Sequence, residues 1–226
     1  MLAQPPFNLS NWGVENAKWD PYHRFSPIPP ASSANFAFIQ HCAAILAPGG
    51  VAAILCPNGV LFRGGAEAKI REHLLKEGML DAVLALPSGL LPTTSIPATI
   101  MMLRKTVRSH GQVLLVNATS LGVRQGRRKE LRPEEHQRIV ECVARRSEQP
   151  GFSRLVTLEE IAEREWSLNI ASYVSDASPG HHHDAQEHLH AAKSAEAERD
   201  AAARRLDEAL KNLFMHISRD EGPDVR

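Results

Sequence analysis

Gly50-Val51-Ala52-Ala53-Ile54-Leu55-Cys56-Pro57 is the stretch that decides the fold. Its apolar run has no polar alternation, and glycine and proline punctuate its two ends. A strand covered on both faces, as in a parallel sheet, reads this way, whereas a strand with one wet face alternates. Upstream, Phe36, Ile39, Ala43 and Leu46 recur at helical spacing. That helix is expected to begin with Ser33 as its cap and to stop at Pro48-Gly-Gly. Downstream, residues 67–77 form a second helical pattern closed by Gly78, and apolar runs follow at 80–86, 98–103 and 113–116. Strands alternating with helices predict an α/β fold whose sheet has parallel character. Two further helices, at 133–146 and 158–164, belong to its periphery.

Two segments fall outside this alternation. Residues 8–33 read as one long loop, with Pro21, Pro27, Pro29 and Pro30 among the aromatics Trp12, Trp19, Tyr22 and Phe25. A loop of this length inside a compact domain is usually functional, and its rings either rim a pocket or cover the surface. After Val174 the composition breaks. Residues 175–183, with Pro179-Gly180 and three consecutive histidines, read as a linker. Residues 184–217 contain neither proline nor glycine and place Leu206, Leu210, Leu213 and Ile217 on one helical face. A seam this narrow cannot be buried against itself and asks for a partner helix. Residues 218–226 are expected to be a disordered tail.

Bulk properties exclude several classes. Lysine plus arginine equals aspartate plus glutamate at 26 each, and the pI is about 7.2. A protein that grips DNA phosphates unaided shows a basic excess, so any DNA contact here rests on local patches or on partner subunits. A hydrophobic content of 43% with 23% charged residues fits a globular chain, not a disordered one. Cys42, Cys56 and Cys142 lie far apart without CxxC spacing. They read as reduced core thiols of a cytosolic protein, neither a disulfide framework nor a zinc site. No apolar run approaches the ~18 residues of a membrane span, and no basic-then-apolar leader opens the sequence. The expected location is cytoplasmic, with no membrane partner.

Candidate chemistry begins at Gln4-Pro5-Pro6-Phe7. Two successive prolines fix φ and remove two N–H donors, so the carbonyls there point in set directions. An amide side chain beside such a carbonyl offers two acceptors for an exocyclic amine, and the Phe7 ring offers a face for a flipped base. The alternative is a proline-rich arm that packs Phe7 on the surface. Other signals are thinner. The histidines at 181, 182, 183, 188 and 190 lack the accompanying cysteines or acids of a metal site, and no metal is expected. Arg124, Arg127, Arg128, Lys129 and Arg132 either face phosphates or form a solvated loop diluted by Glu130, Glu134 and Glu135. Gly49-Gly50 and Gly64-Gly65 do not make a GxGxxG turn. Asn58-Gly59 and Ser88-Gly89 follow apolar runs at the edge where α/β sheets bind ligands, and read as turn residues first.

Several blocks in order carry a resemblance. They are Gln4-Pro-Pro-Phe-Asn-Leu-Ser-Asn-Trp-Gly13, Ala34-Asn-Phe-Ala-Phe-Ile-Gln-His41 and the run from Leu46 through Gly65. Leu86-Pro-Ser-Gly-Leu-Leu91, Ile96-Pro-Ala-Thr-Ile100, Glu160-Ile-Ala162 and Leu168-Asn-Ile-Ala-Ser-Tyr173 complete the set. From Ala3 to about Val174 the chain thereby resembles the modification subunit of type I restriction-modification systems, an N6-adenine DNA methyltransferase.

The resemblance implies a mechanism. A flipped adenine would stack on Phe7 and offer its N6 amine to the Gln4 side-chain oxygen and the Pro5 carbonyl, with Pro6 stiffening the turn. The family opens this tetrapeptide with Asn, or Asp in related enzymes; Gln4 adds a methylene. That displaces the amide oxygen by ~1 Å, a misplacement that costs on the order of 10²-fold in a positioned reaction. The implied cofactor is S-adenosylmethionine, which the family holds on a glycine-rich turn upstream of the tetrapeptide. Three residues precede Gln4, so no cofactor-binding residue is expected here. Residues 1–174 are then expected to be the C-terminal part of the methyltransferase domain, with a partial Rossmann-like sheet, inactive alone. Residues 184–217 would form a long helix docking onto the specificity subunit, with DNA bound by the whole complex. The alternative function is a non-catalytic assembly module that docks onto a specificity subunit.

Overall fold

The computed structural model describes residues 1–174 apart from Pro92, Thr93, Ser95, residues 106–110 and Arg127. The expected linker, the helix at 184–217, the tail and the histidine cluster lie outside the described residues. The strands are β1 (Leu2–Ala3), β2 (Val51–Pro57), β3 (Leu80–Ala85), β4 (Ala98–Arg104), β5 (Gln112–Asn117), β6 (Val123–Gln125), β7 (Arg128–Glu130) and β8 (Ser153–Thr157). The α-helices are α1 (Val14–Ala17), α2 (Asn35–Ile45), α3 (Ala66–Lys76), α4 (Pro133–Arg145) and α5 (Leu158–Glu163).

Six strands form one mixed sheet in the order β1-β2-β4-β3-β5-β8, and β6 and β7 form a separate hairpin. Parallel pairs join β1 to β2 and β3 to β5. β4 runs antiparallel between β2 and β3, and β8 antiparallel beside β5. The four strands read from apolar runs are all present. β1, β8 and the hairpin were not anticipated, being short or polar enough to escape a hydrophobicity reading.

Burial explains the layering. Val83, Ala85 and Leu115 face a core shared with Phe36, Ile39, Ile54, Ile70, Leu74 and Met101. Ala82, Leu84, Leu114 and Val116 face a second core with Ile139, Cys142 and Phe152. β3 is therefore buried along its whole length, as parallel-sheet interiors are. β2 departs from the expectation of cover on both faces: Ala52, Ile54 and Cys56 are buried, whereas Val51, Ala53 and Leu55 are half-exposed. Its outer neighbour β1 is only two residues long, so β2 lies next to the sheet edge.

Local chemistry sets the helix ends. α2 begins at Asn35 with Ala34 in the cap position, and no side chain caps it. The expected Ser33 cap is thus replaced: the Ser33 hydroxyl is buried and unpartnered. Residues 8–33 are loop except for α1. α4 starts with Pro133 after a turn in which Glu135 accepts from the Arg132 and Gly122 amides at 2.8 and 3.1 Å. Thr157 caps α5 by accepting from the Glu160 amide at 3.3 Å. The three cysteines are free and buried, and burial pushes the Cys56 thiol up to about 12. They are core thiols, as their spacing suggested.

Candidate functional site

β1 ends at Ala3 because Pro5 and Pro6 have no amide to continue the ladder. Its register, Leu2 opposite Ala53 and Ala3 opposite Ile54, runs β1 in the direction of β2 and ends it opposite the middle of that strand. The tetrapeptide therefore leaves the sheet at the edge where α/β folds bind ligands. Gln4 and Pro6 are exposed, Pro5 and Phe7 half-buried. On one side Gln4 borders an apolar hollow with Leu2, Ala3, Ala53, Leu55 and Ile100. Asn58, one residue beyond β2, carries a buried side-chain oxygen without a hydrogen-bond partner.

The chain leaving the tetrapeptide is clamped. The Asn8 amide donates to Asn35 Oδ1 at 2.9 Å, and Asn35 Nδ2 donates back to Asn8 Oδ1 at 3.0 Å. Arg63 Nη1 donates to the same Asn8 oxygen at 3.3 Å. Asn8 sits at φ 52, a left-handed conformation that asparagine tolerates better than most residues. This reciprocal amide pair ties the exit of the tetrapeptide to the first residue of α2.

Beyond Asn8 opens a cavity of about 450 Å³ whose lining includes Ser33, Arg63, Gly64, Gly65 and Glu67. Gly65 precedes α3 at φ 65 and ψ −133, a region only glycine enters readily. Arg71, which is fully buried, donates to the carbonyls of Trp166, Val60 and Arg63 at 2.9, 3.1 and 2.7 Å. Burial pulls its pKa down to about 10. Burial also pushes the Glu67 carboxyl up, against the pull of Arg63 and Arg71. Ser33 adds a smaller opposing pull without a hydrogen bond of ordinary geometry.

The long loop is built, not loose. Trp12 and Phe25 pack with centroids 5.6 Å apart, and Trp12 Nε1 donates to the Pro30 carbonyl at 3.0 Å. Asp20 accepts the Arg24 amide at 2.7 Å and its guanidinium at 3.1 Å, and Arg24 holds the Asp20 carboxyl down to about 2. This turn leaves Trp19 and Tyr22 83% and 77% exposed. Half of the aromatics thus pack, and these two face solvent. At the carboxyl end of β3, the Gly89 carbonyl accepts from the Lys129 amide at 2.9 Å. The basic hairpin, with Arg124 and Arg128 exposed, therefore stands at the same end of the sheet as the tetrapeptide. Among the described residues no group of three His, Cys, Asp or Glu could hold a metal ion.

Sequence reading found Gln4–Phe7 but not Asn35 and Arg63, which hold Asn8, nor Ser33 and Glu67, which line the cavity beyond it. The glycine pair before α3 was the nearest signal, and it was set aside as a failed dinucleotide turn.

Known proteins are similar to this chain. The family model described as N-6 DNA Methylase matches residues 1–181. The MpnII methylase subunit of a type I restriction enzyme from Mycoplasma pneumoniae is 31% identical over 178 residues. That match covers 77% of this chain and 33% of the relative. The MjaIX methylase subunit from Methanocaldococcus jannaschii is 30% identical, covering 77% and 34%. A crystal structure of a type I restriction-modification methyltransferase subunit from Streptococcus thermophilus superposes with a TM-score of 0.72 at 36% identity. It covers 77% of this chain and 37% of that one. The chain spans about a third of the length of the curated relatives it matches.

Proposed function

We propose a function from one premise: this chain belongs to the N-6 DNA methylase family. In this reading residues 1–174 are the C-terminal part of a Rossmann-like methyltransferase domain from a type I modification subunit, and they supply the target-base side of adenine-N6 methylation. The observation that carries it is a rigid Pro5-Pro6 exit from β1 at the ligand edge of the sheet, flanked by an exposed amide and a half-buried ring. The flipped adenine stacks on Phe7, and its N6 hydrogens are accepted by Gln4 Oε1 and the Pro5 carbonyl. Pro6 holds both acceptors at a fixed spacing.

S-adenosylmethionine is the methyl donor of this reading. In this reading its site lies outside the described residues. Gly64-Gly65 leads into α3, and the first acid after it, Glu67, is buried instead of being offered to a ribose. The donor side belongs to the other two thirds of the length seen in the relatives. Titration calorimetry of this 226-residue chain with S-adenosylmethionine is expected to show binding weaker than about 100 μM, or ~5.5 kcal/mol. Tighter binding overturns the division of labour. With the upstream part of a type I methylase subunit and a specificity subunit added in trans, methyl transfer to duplex adenine should depend on Phe7. Gln4→Asn should raise its rate by up to about 10²-fold. A Phe7→Ala variant of unchanged rate would refute the assignment.

DNA and a specificity subunit are the proposed partners, met in the cytoplasm. Among the described residues no helix is long and apolar enough to cross a membrane. The docking element is the seam of Leu206, Leu210, Leu213 and Ile217, argued from spacing alone. Replacing Leu206 and Leu213 with Asp should abolish co-purification with the specificity subunit while leaving the melting temperature unchanged. Co-purification that survives removes the seam from the proposal. The extra methylene of Gln4 also favours a second reading, a non-catalytic assembly module. Docking without adenine-dependent binding would select it.

A further inference from the structure

The β6–β7 hairpin carries charge that the fold does not use. Arg124 stands opposite Lys129, and Gln125 opposite Arg128. Cross-strand partners share a face, so two cations meet on one face of the hairpin, where like charges destabilise a strand pair. Arg124 and Arg128 are exposed and Lys129 is half-buried. Among the described residues no carboxylate forms an ion pair with any of the three. The acids nearby in sequence are turned elsewhere. Glu135 accepts from the Arg132 and Gly122 amides, and those two bonds first, then the charges of Arg132 and Lys129, hold its carboxyl below the usual range. Glu130 stands opposite Val123, on the face away from Arg124 and Lys129.

The hairpin is a fixed arm. At its foot Gly122 takes φ 86, and a Cβ there would approach the Glu130 carbonyl oxygen to 3.2 Å. Gly126 enters the turn at φ 61, and its carbonyl accepts from Arg124 Nε at 3.2 Å. The Lys129 amide is tied to the Gly89 carbonyl just beyond β3. Leu121 and Leu131, on either side of the hairpin, pack on the core of Leu84, Leu114 and Val116. That core lies on the face of the sheet where Gln4 borders its hollow. Leu55, Ile100, Leu84 and Val116 are successive neighbours in one row across β2, β4, β3 and β5, and Leu55 and Ile100 line the hollow with Gln4. Hairpin and hollow thus share one face and one end of the sheet. Three strand spacings separate β1 from β3, about 14 Å, and four separate it from β5, about 19 Å.

We propose that this hairpin is a phosphate-gripping arm: Arg124, Arg128 and Lys129 hold the backbone of the DNA duplex whose extruded adenine the tetrapeptide receives. The inference rests on that reading of the tetrapeptide and adds a grip on the duplex that this chain supplies itself. Guanidinium groups meet phosphate oxygens with paired N–H donors, and phosphates recur at every base pair, so a short row of cations on one arm meets several of them. A chain with 26 basic and 26 acidic residues draws no polyanion by net charge, so its grip has to be local. For a duplex laid across the strand ends at ~3.4 Å per base pair, the span from β1 to the hairpin places the gripped phosphates about four to six base pairs from the extruded base. The arm then sets the position of the duplex, and the contacts to the base are made at the tetrapeptide.

Fluorescence anisotropy of the full chain with a labelled DNA duplex, followed across salt concentrations, tests this. Each phosphate neutralised contributes ~0.9 to the slope of log affinity against log salt. Arg124→Gln/Arg128→Gln should lower that slope by about two and weaken binding at ~50 mM salt by about tenfold or more. Lys76→Gln/Lys105→Gln removes the same charge at the other end of the sheet and should leave the slope unchanged. The melting temperature of the hairpin variant should not fall, since its cations repel one another. A duplex whose single adenine faces an abasic gap, where extrusion costs least, reads the tetrapeptide separately through a preference over paired duplex that Phe7→Ala abolishes. Uncharged methylphosphonate linkages about four to six base pairs from that adenine should weaken binding to the unaltered chain and leave the hairpin variant indifferent. No duplex binding at low salt, an unchanged slope, or an equal loss in the control pair overturns the inference. So does displacement of the duplex by poly-glutamate as readily as by unlabelled DNA, which would make the arm a general anion patch. An adenine preference with an unchanged slope overturns the arm alone. A lowered slope without any adenine preference overturns the tetrapeptide reading and leaves the hairpin a DNA-binding arm.

Discussion

Asn35→Ala removes the clamp on the tetrapeptide's exit without touching any residue proposed to meet a base. Two bonds are lost, at 2.9 and 3.0 Å, and Asn35 is itself 2% exposed. Each neutral bond contributes about 1 kcal/mol net, and a stranded buried donor costs more. Asn8 is half-buried, so water recovers part of its amide, and about 2 kcal/mol remains. For a domain of this size that lowers the melting temperature by roughly 4–8 °C. Asn35→Asp is the informative companion. Its carboxylate still accepts from the Asn8 amide, but the oxygen that replaces Nδ2 faces Asn8 Oδ1, so the second bond becomes a contact between two acceptors. It should cost at least as much stability as Asn35→Ala, because a nearly buried charge meets an opposing acceptor, while the Asn8 amide keeps its bond. Differential scanning calorimetry reads the melting temperatures, and hydrogen exchange at the Asn8 amide reads the clamp directly. Protection should be lost in Asn35→Ala and kept in Asn35→Asp. Equal melting within about 1 °C and unchanged exchange in Asn35→Ala would refute the clamp.

Asp81 is the extra residue of a bulge where the β3–β4 register shifts, and it pairs with Arg104 at 2.9 Å and with Arg146. Asp81→Ala strands two partly exposed guanidinium groups and should cost about 2 kcal/mol, read as a lower urea midpoint with an unchanged slope. Arg24 depresses Asp20 to about 2, so the stability this pair contributes is complete above the unfolded value of about 3.9 and is lost as the pH falls through about 2. Trp19 emission should therefore hold to strongly acid pH, and Arg24→Ala should move its transition up toward ordinary carboxylate pH. An unmoved transition rejects the pairing. Leu2, 89% exposed on the open outer strand, is an association hazard. Leu2→Lys should reduce self-association in sedimentation without lowering the melting temperature, and equal sedimentation would show that this edge is not the contact.

Legibility divided along one line. Apolar runs near 51–56, 80–86, 98–103 and 113–116 became β2, β3, β4 and β5 with ends moved by a residue or so. The helices at 66–76, 133–145 and 158–163 followed their expected spans as closely. Each is a local pattern of period and punctuation, which the chain carries wherever it folds. Ser33 shows the limit: its position suits a cap, but the turn before α2 places Ala34 there and buries the hydroxyl near Glu67. The exposed faces of Ala53 and Leu55 show it again, since an apolar run states what wants cover and not what covers it.

The sequence alone determined the α/β class, the four apolar strands, the rigid tetrapeptide and its family. It did so because strand period, helix period and proline stiffness act within a few residues. Only the tertiary structure decided that two prolines end an edge strand that runs parallel to β2. It alone joined Asn8 to Asn35, 27 positions on, and Arg63, 55 positions on, and brought Glu67 unpaired to the same cavity. Those contacts depend on β1 pairing in parallel with a strand some fifty residues later, and no local preference encodes that pairing.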